Sequence, residues 1–344
     1  MTRLVVDLDR IVANVAALRQ RIAPAEYLFV LKDDAYGHGV EPVTLAVARA
    51  GVRWFGAVDV STCLVARTVA GPDARVLAWS RAPLELLEAA IEARLDLGVG
   101  DAEYLEEVAA VSAGRQVRVH LKIDTGLHRS GVRPEDWRAF ATRAAELEAA
   151  GDLVVTGVWS HIAETSDADD DAAHAAFVAA VEEAREVGLD PEVLHLAASA
   201  AAYARPEFRF DLVRFGAFGY GIRSADGPDL PGVAPAATLR ATVTSVGPDA
   251  ATLAVGSLDG LPSPLGGRAT VGTAAGPRAL LEVGEATATV ARWPGASVGD
   301  DVAVFGPGTE GESSATTLAE AIGTVGEEIL VRVSPLLPRE YVGG

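Results

Sequence analysis

Lysine is almost absent from this chain. Of its 29 lysine and arginine residues only Lys32 and Lys122 are lysine. Arginine replaces lysine readily as a solvated charge, but a guanidinium does not give up its proton and cannot form an imine with an aldehyde. The two lysines that persist are therefore candidates for amine chemistry. Each opens a segment rich in groups a site could use: Lys32-Asp33-Asp34-Ala35-Tyr36-Gly37-His38-Gly39 and Lys122-Ile123-Asp124-Thr125-Gly126-Leu127-His128-Arg129. Further candidates stand at Ser160-His161, at Ser199, at Arg214 and at Gly221-Ile222. An aldehyde cofactor with a phosphate and a ring nitrogen would take its imine from Lys32. Its phosphate would need hydroxyl and backbone N–H donors, for which Tyr36, Ser199, Gly221 and Ile222 are suited, and Arg214 could face the ring nitrogen. Because arginine keeps its proton, that nitrogen would stay unprotonated and the ring would be a modest electron sink, which favours simple proton transfer at Cα. Taken singly the signals are ordinary: His161 could be a core histidine, Ser199 a helix cap and the Tyr36–Gly39 stretch a turn.

Groups so far apart in sequence need a scaffold that gathers them. Apolar runs occupy residues 28–31, 54–58, 76–79, 95–99, 117–123, 153–159, 193–196 and 212–220, and stretches of helical period lie between most of them, as at 83–94, 103–113, 134–149 and 172–187. Eight strand-helix alternations with near-continuous apolar strands predict an α/β fold, an N-terminal (β/α)8 TIM-type barrel, with a doubly wound sheet as the alternative. In a barrel, functional groups project from the C-terminal ends of the strands. Both lysines, His161, Ser199 and Arg214 all follow or end such runs, so they would share one mouth. From about Arg223 the texture changes to Gly, Pro, Thr and Val with short alternating runs, which predicts a smaller C-terminal all-β domain. The expected division is residues 1–223 and 224–344, with 224–235 as linker and the N-terminal helix able to pack with the second domain.

Composition narrows the function. The 344 residues are 49% hydrophobic and 22% charged, as in a folded globular protein, and suffice for about two domains. A formal charge of −19 repels phosphate backbones and anionic lipids, so neither nucleic acid nor membrane is an expected partner. Cys63 is the only cysteine, which fits a reducing compartment, and no signal-type apolar block opens the chain. A cytoplasmic location is the expectation. The acidic cluster 167–171 reads as a solvated helix start, and no metal site is expected.

The blocks VVDLDRIVANVAALR, VLKDDAYGHGV, HLKIDTGLHRSGV, GVWSHIAETSD, LHLAASAAAYARPEFRFDLVRFGAFGYGI and VGSLDGLPS resemble, in order, segments of the alanine racemase family of fold-type III pyridoxal-phosphate enzymes. The resemblance implies pyridoxal 5'-phosphate on Lys32. Tyr36, Ser199, Gly221 and Ile222 would hold its phosphate, Arg214 would face its ring nitrogen and His161 would lie near the ring. Lys122 matches a lysine that is carbamylated in some members and orients the arginine matching Arg129, which lies near the cofactor and the substrate carboxylate. The resemblance further implies a small amino-acid substrate and a head-to-tail homodimer in which each β domain completes the partner's site.

That second half is where the chain departs from the pattern. The family's second base is a tyrosine in a Gly-Tyr-Gly-x-Thr hairpin early in the β domain, whereas LRATVTSVGPDAATLAVGSLDG runs straight from one flank of that hairpin to the other. No tyrosine occurs between Gly221 and Glu340. The family's Cys-Met-Asp segment falls on Val283-Gly284-Glu285, and the tyrosine of its Ser-Tyr-Glu segment falls on Gly326-Glu327-Glu328. The sequence therefore leads to an amino-acid racemase or epimerase working through an imine on Lys32, with a second base other than the usual tyrosine: His128, a Glu285 or Glu327 from a second copy, or a water. The alternatives are a repurposed enzyme for decarboxylation, β-elimination or replacement, or retro-aldol cleavage, and a non-catalytic cofactor-binding protein.

Overall fold

In the computed structural model, which describes residues 2–344, the strands fall into two eight-stranded sheets. In chain order the first nine are β1 (Arg3–Asp7), β2 (Glu26–Val30), β3 (Trp54–Ala57), β4 (Arg75–Ala78), β5 (Asp96–Val99), β6 (Val117–Lys122), β7 (Leu153–Trp159), β8 (Val193–His195) and β9 (Leu212–Phe215). They are followed by β10 (Ala237–Val246), β11 (Ala250–Leu253), β12 (Ala269–Thr273), β13 (Gly276–Val283), β14 (Ala288–Ala291), β15 (Asp301–Phe305) and β16 (Arg339–Val342). The chain divides into two compact units. One comprises Leu18–Lys32 and Ala48–Gly216; the other comprises the N-terminal stretch to Ala17, Asp33–Val47 and Ala217–Gly344.

The first unit holds a parallel sheet in the order β8-β7-β6-β5-β4-β3-β2-β9. Its two ends meet: Asp211 N donates to Leu194 O at 3.1 Å, and Leu194 N donates to Asp211 Oδ2 at 2.9 Å. Strands in sequential order that close on themselves make a barrel, which excludes the doubly wound alternative. The strands are apolar on both faces because helices cover the outside and side chains fill the inside. Three helix starts are set by single acidic or hydroxyl caps. Asp59 accepts from Thr62 N ahead of Val60–Ala70, Asp101 from Tyr104 N ahead of Ala102–Ser112, and Ser166 from Asp169 N ahead of Asp167–Glu186. The acidic cluster lies in the first turn of that last helix, where its charge complements the helix dipole.

The second unit is built on antiparallel strands in the order β11-β14-β13-β12-β15-β10-β1-β16, and β10 also pairs with β11. Those pairings close a ring of six strands, to which β1 adds antiparallel on β10 and β16 adds parallel on β1. β10 passes into β11 through residues 247–249, with Gly247 N donating to Ala250 O at 2.8 Å. Three elements here carry no strong sequence signal: β1, whose partners lie far along the chain, and the helices Ala315–Ile322 and Gly326–Val331. The run at 212–220, read as one strand, is a strand to Phe215 and a 3-10 turn over Ala217–Tyr220.

Candidate active site

Four cations gather in the barrel unit. Lys32 follows β2, Lys122 ends β6, Arg129 lies on the loop after β6 and Arg214 is in β9. Each of them acts electrostatically on His161, which follows β7. Burial and then the charges of Arg214, Arg129, Lys122 and Lys32 push the His161 imidazole down to about 3, so the ring is neutral. A positive mouth in a chain of net charge −19 calls for an anionic ligand.

Arg214 is 4% exposed and its partners are all neutral acceptors. Its Nη2 shares two hydrogens among Ser160 O at 2.8 Å, Leu196 O at 2.9 Å and His161 Nδ1 at 3.0 Å, and its Nη1 donates to His195 Nδ1 at 3.0 Å. Burial and the charge of Arg129 lower its pKa to about 9, and no carboxylate offsets them. Since a guanidinium can only donate, His161 Nδ1 must accept and the His161 proton sits on Nε2. Trp159, the last residue of β7, steadies the group: its ring lies 5.1 Å from the Arg214 guanidinium and 4.4 Å from Lys122 Nζ.

Lys122 is 7% exposed and donates to Ser130 Oγ at 2.6 Å. Burial, then Arg214 and Arg129, lower its pKa to about 8, against the pull of Asp124. Asp124 organises the loop that carries Arg129. Its Oδ1 accepts Gly126 N and His128 N, each at 3.0 Å, and its own N donates to Val132 O at 2.9 Å. Arg129 is exposed at the loop's tip. His128 is exposed too, but its Nδ1 faces Asp124 Oδ2 at 3.3 Å and the Arg133 guanidinium, so it belongs to the loop's framework.

The remaining expected ligands divide between the units. Ser199 begins the helix Ser199–Ala204 of the barrel unit, while Tyr36, Gly221 and Ile222 belong to the second unit. Residues Asp33, Asp34, Ala35 and Tyr36 form a left-handed turn with φ of 55°, 53°, 55° and 54°. Left-handed backbone is costly for residues with a Cβ, so the turn needs fixing from outside. His38 supplies this: its Nδ1 faces Ala35 O at 2.9 Å and Tyr36 O at 3.0 Å, and its ring packs 4.7 Å from Tyr220. Asp34 Oδ1 accepts Val40 N at 3.0 Å. Tyr36 is buried against Tyr220 at 4.9 Å, and burial followed by the charges of Glu327 and Asp33 raises its pKa. Gly221, at φ +78°, admits Ala234 O where a Cβ would stand 2.0 Å away; its amide donates to Phe218 O, and that of Ile222 to Ala217 O, both at 3.0 Å.

Three inward-facing residues escaped the sequence reading: His120 in β6, His195 in β8 and Asp96 in β5, all with no exposure. A histidine inside an apolar strand gives no signal beyond a core position; only the glycine at 157, in an otherwise apolar β7, hinted that something unusual packs there.

Pyridoxal phosphate fits the donor set at its ring end. Its unprotonated ring nitrogen is an acceptor, and a buried, donor-only arginine without a carboxylate suits such an acceptor. The positive mouth likewise suits its phosphate and a substrate carboxylate.

Residues 6–224 match the family described as Alanine racemase, N-terminal domain. The chain is 39% identical over 372 residues to an alanine racemase of Thermobifida fusca (strain YX), covering 98% of this chain and 97% of that one. Among solved structures, alanine racemase from Streptomyces coelicolor A3(2) superposes with a TM-score of 0.95 at 33% identity, covering 100% of this chain and 98% of that one. The alanine racemase of a D-cycloserine-producing Streptomyces lavendulae superposes with a TM-score of 0.93 at 32% identity, covering 100% and 97%.

Proposed function

The chain belongs to the alanine racemase family of pyridoxal-phosphate-dependent isomerases, and on that premise we propose that it inverts an amino acid at Cα with Lys32 on one face and a group other than the family tyrosine on the other. The observation that carries this reading is the cluster of Arg214, Arg129, Lys122 and Lys32 around a neutral His161. Bound pyridoxal phosphate makes the Cα proton of an amino acid acidic. Lys32 would hold the cofactor's aldehyde carbon and exchange the proton on its own side. Arg214 would donate to the ring nitrogen without protonating it. Tyr36, Ser199, Gly221 and Ile222 would hold the phosphate, Arg129 would read the substrate carboxylate, and Lys122, in carbamylated form, would orient Arg129.

His161 is not the second base in this reading. Its Nδ1 accepts from Arg214 and its Nε2 carries the proton, so it has no lone pair to offer at neutral pH. The base would come from His128, from a Glu285 or Glu327 of a second copy, or from water. This makes a head-to-tail homodimer part of the proposal, with residues 1–223 bearing the cofactor and 224–344 facing the partner's mouth. The short 247–249 turn and the absence of tyrosine from Gly221 to Glu340 also favour a second reading, in which Lys32 works alone in decarboxylation, elimination or retro-aldol cleavage.

Chiral mass spectrometry on L- and D-amino acids incubated with the loaded protein in D2O separates the two. Deuterium at Cα of the inverted enantiomer supports inversion. Deuterium with retention only, or a product of altered mass, supports Lys32 acting alone; no isotope incorporation into any amino acid leaves a binding protein.

A further inference from the structure

The barrel interior holds a file of polar side chains that begins at Arg214 and leads away from the mouth. Arg214 donates to His195 Nδ1 at 3.0 Å, His195 Nε2 lies 2.8 Å from His120 Nδ1, and His120 Nε2 lies 3.4 Å from Asp96 Oδ2, close enough for a charge contact but without a formed hydrogen bond. Asp96 opens β5, His120 is in the middle of β6, His195 ends β8 and Arg214 is in β9, so the file crosses the barrel. All four residues are 4% exposed or less.

The proton positions along the file follow from its first member. Arginine cannot accept, so His195 Nδ1 accepts and the His195 proton is on Nε2. That proton points at His120 Nδ1, which must accept, and the His120 proton is therefore on Nε2, the nitrogen nearest Asp96. Every donor points the same way, from the guanidinium toward the carboxylate.

The surroundings are shaped for this arrangement. A Cβ on Gly157 would stand 2.3 Å from His120 Nδ1, so any larger residue in the middle of β7 would expel the ring. Trp159 stacks on His195 with ring centroids 5.5 Å apart and planes 5° from parallel, and its Nε1 donates to His120 O at 3.2 Å. Trp54 meets His120 edge-on at 6.1 Å. At the far end Arg75 lies 2.8 Å from Asp96 and Arg118 also pairs with it. Although burial opposes it, His120, Arg75 and Arg118 hold the Asp96 carboxyl down to about 2.

We propose that Asp96 and His120, seated by Gly157, are positioning residues for the reaction: a relay of two one-way hydrogen bonds and a closing His120–Asp96 contact makes Asp96 the remote counter-charge of Arg214 and fixes His195 as its acceptor. The inference rests on the assignment of Arg214 to the cofactor's ring nitrogen. It explains how a buried arginine without an adjacent carboxylate is held in place. A direct carboxylate partner would take up several Arg214 donors, whereas a counter-charge reached through His195 occupies one.

The relay makes Asp96→Asn a specific lesion. An amide has one oxygen where Asp96 has two: with that oxygen in the Oδ1 place beside Arg118, its NH2 takes the Oδ2 place and faces both Arg75 and His120 Nε2. The His120 proton must then move to Nδ1, the His195 proton must follow, and the reversal ends at Arg214, which cannot accept. Gly157→Ala breaks the same file by steric displacement, with no charge or donor removed.

The test uses the cofactor-loaded protein labelled with 15N-histidine, whose six histidines make assignment by His→Gln variants tractable. Long-range 1H–15N correlation reads which nitrogen of each ring is protonated. In the wild type His120 and His195 are each expected as the Nε2–H form. Asp96→Asn and Gly157→Ala are expected to shift the His195 nitrogens, to move the bound cofactor's absorption maximum, and to lower kcat about tenfold with KM within about twofold. A wild-type His120 proton on Nδ1 overturns the proposal outright. So do two folded variants that lose only melting temperature while the His195 resonances and the cofactor band stay in place, which would make Asp96 a structural anchor for Arg75 and Arg118. If neither variant folds, the wild-type tautomers still decide. A wild type with the expected tautomers that inverts no amino acid counts against the proposed reaction and leaves the relay standing.

Discussion

Two lysines on one barrel mouth have different surroundings and should fail differently when altered. Lys32→Ala is expected to abolish turnover and the covalent attachment of pyridoxal phosphate, leaving weaker noncovalent binding; visible absorbance after dialysis checks it. Lys122 has the clearer thermodynamic signature. Its pKa is about 8 in the folded protein against an ordinary 10.5, so above about pH 8 the unfolded chain binds more protons than the native one. Stability contributed by this group therefore rises from pH 8 toward 10.5, and the cost of burying its charge is fully present below 8. With Lys122 free of carbamate, the melting-temperature difference between Lys122→Met and the wild type should shrink as pH is raised through that window. An unchanged difference means Lys122 does not titrate there. The amine chemistry of these residues was legible because arginine cannot replace it; the Asp96–His120–His195 file was not, because an apolar strand pattern does not reveal what fills a barrel's interior.

At the scale of elements, the site depends on two loops held by single side chains. Asp124 uses its carboxylate to fold the loop bearing Arg129. Asp124→Ala should raise KM for the amino acid about tenfold, equivalent to about 1.4 kcal/mol, while cofactor affinity is unchanged. Equal loss of both would show that the substitution unfolds the mouth. The left-handed turn at Asp33–Tyr36 depends on His38, which is fully buried. His38→Ala should destabilise the protein by about 2–3 kcal/mol and expose the turn to proteolysis, read by denaturant unfolding and limited digestion. The barrel strands were readable as apolar runs because helices cover one face and side chains fill the other. The left-handed turn was not: its glycines at 37 and 39 signal a bend, but four consecutive positive φ values on Asp, Asp, Ala and Tyr run against local preference and are held by the His38 and Asp34 hydrogen bonds and the packing on Tyr220. The pairing of β1 with β16 was equally hidden, since it joins the two ends of the chain.

For the whole molecule, the proposed second base depends on another copy of the chain. Sedimentation at micromolar concentration should give the mass of a dimer, and activity per chain should fall on dilution into monomer. A fully active monomer would remove Glu285 and Glu327 of a second copy as candidates and leave His128 or water. The overall charge of −19 repels anionic ligands at long range, while the positive mouth attracts them at short range. The central claim, that Lys32 is the cofactor lysine of this mouth, is tested most directly by loading the protein with pyridoxal phosphate, reducing with borohydride and mapping the modified peptide by mass. With two lysines in the chain the outcome is unambiguous. The adduct is expected on the peptide containing Lys32 and not on that containing Lys122; an adduct on Lys122, or on neither, contradicts the account.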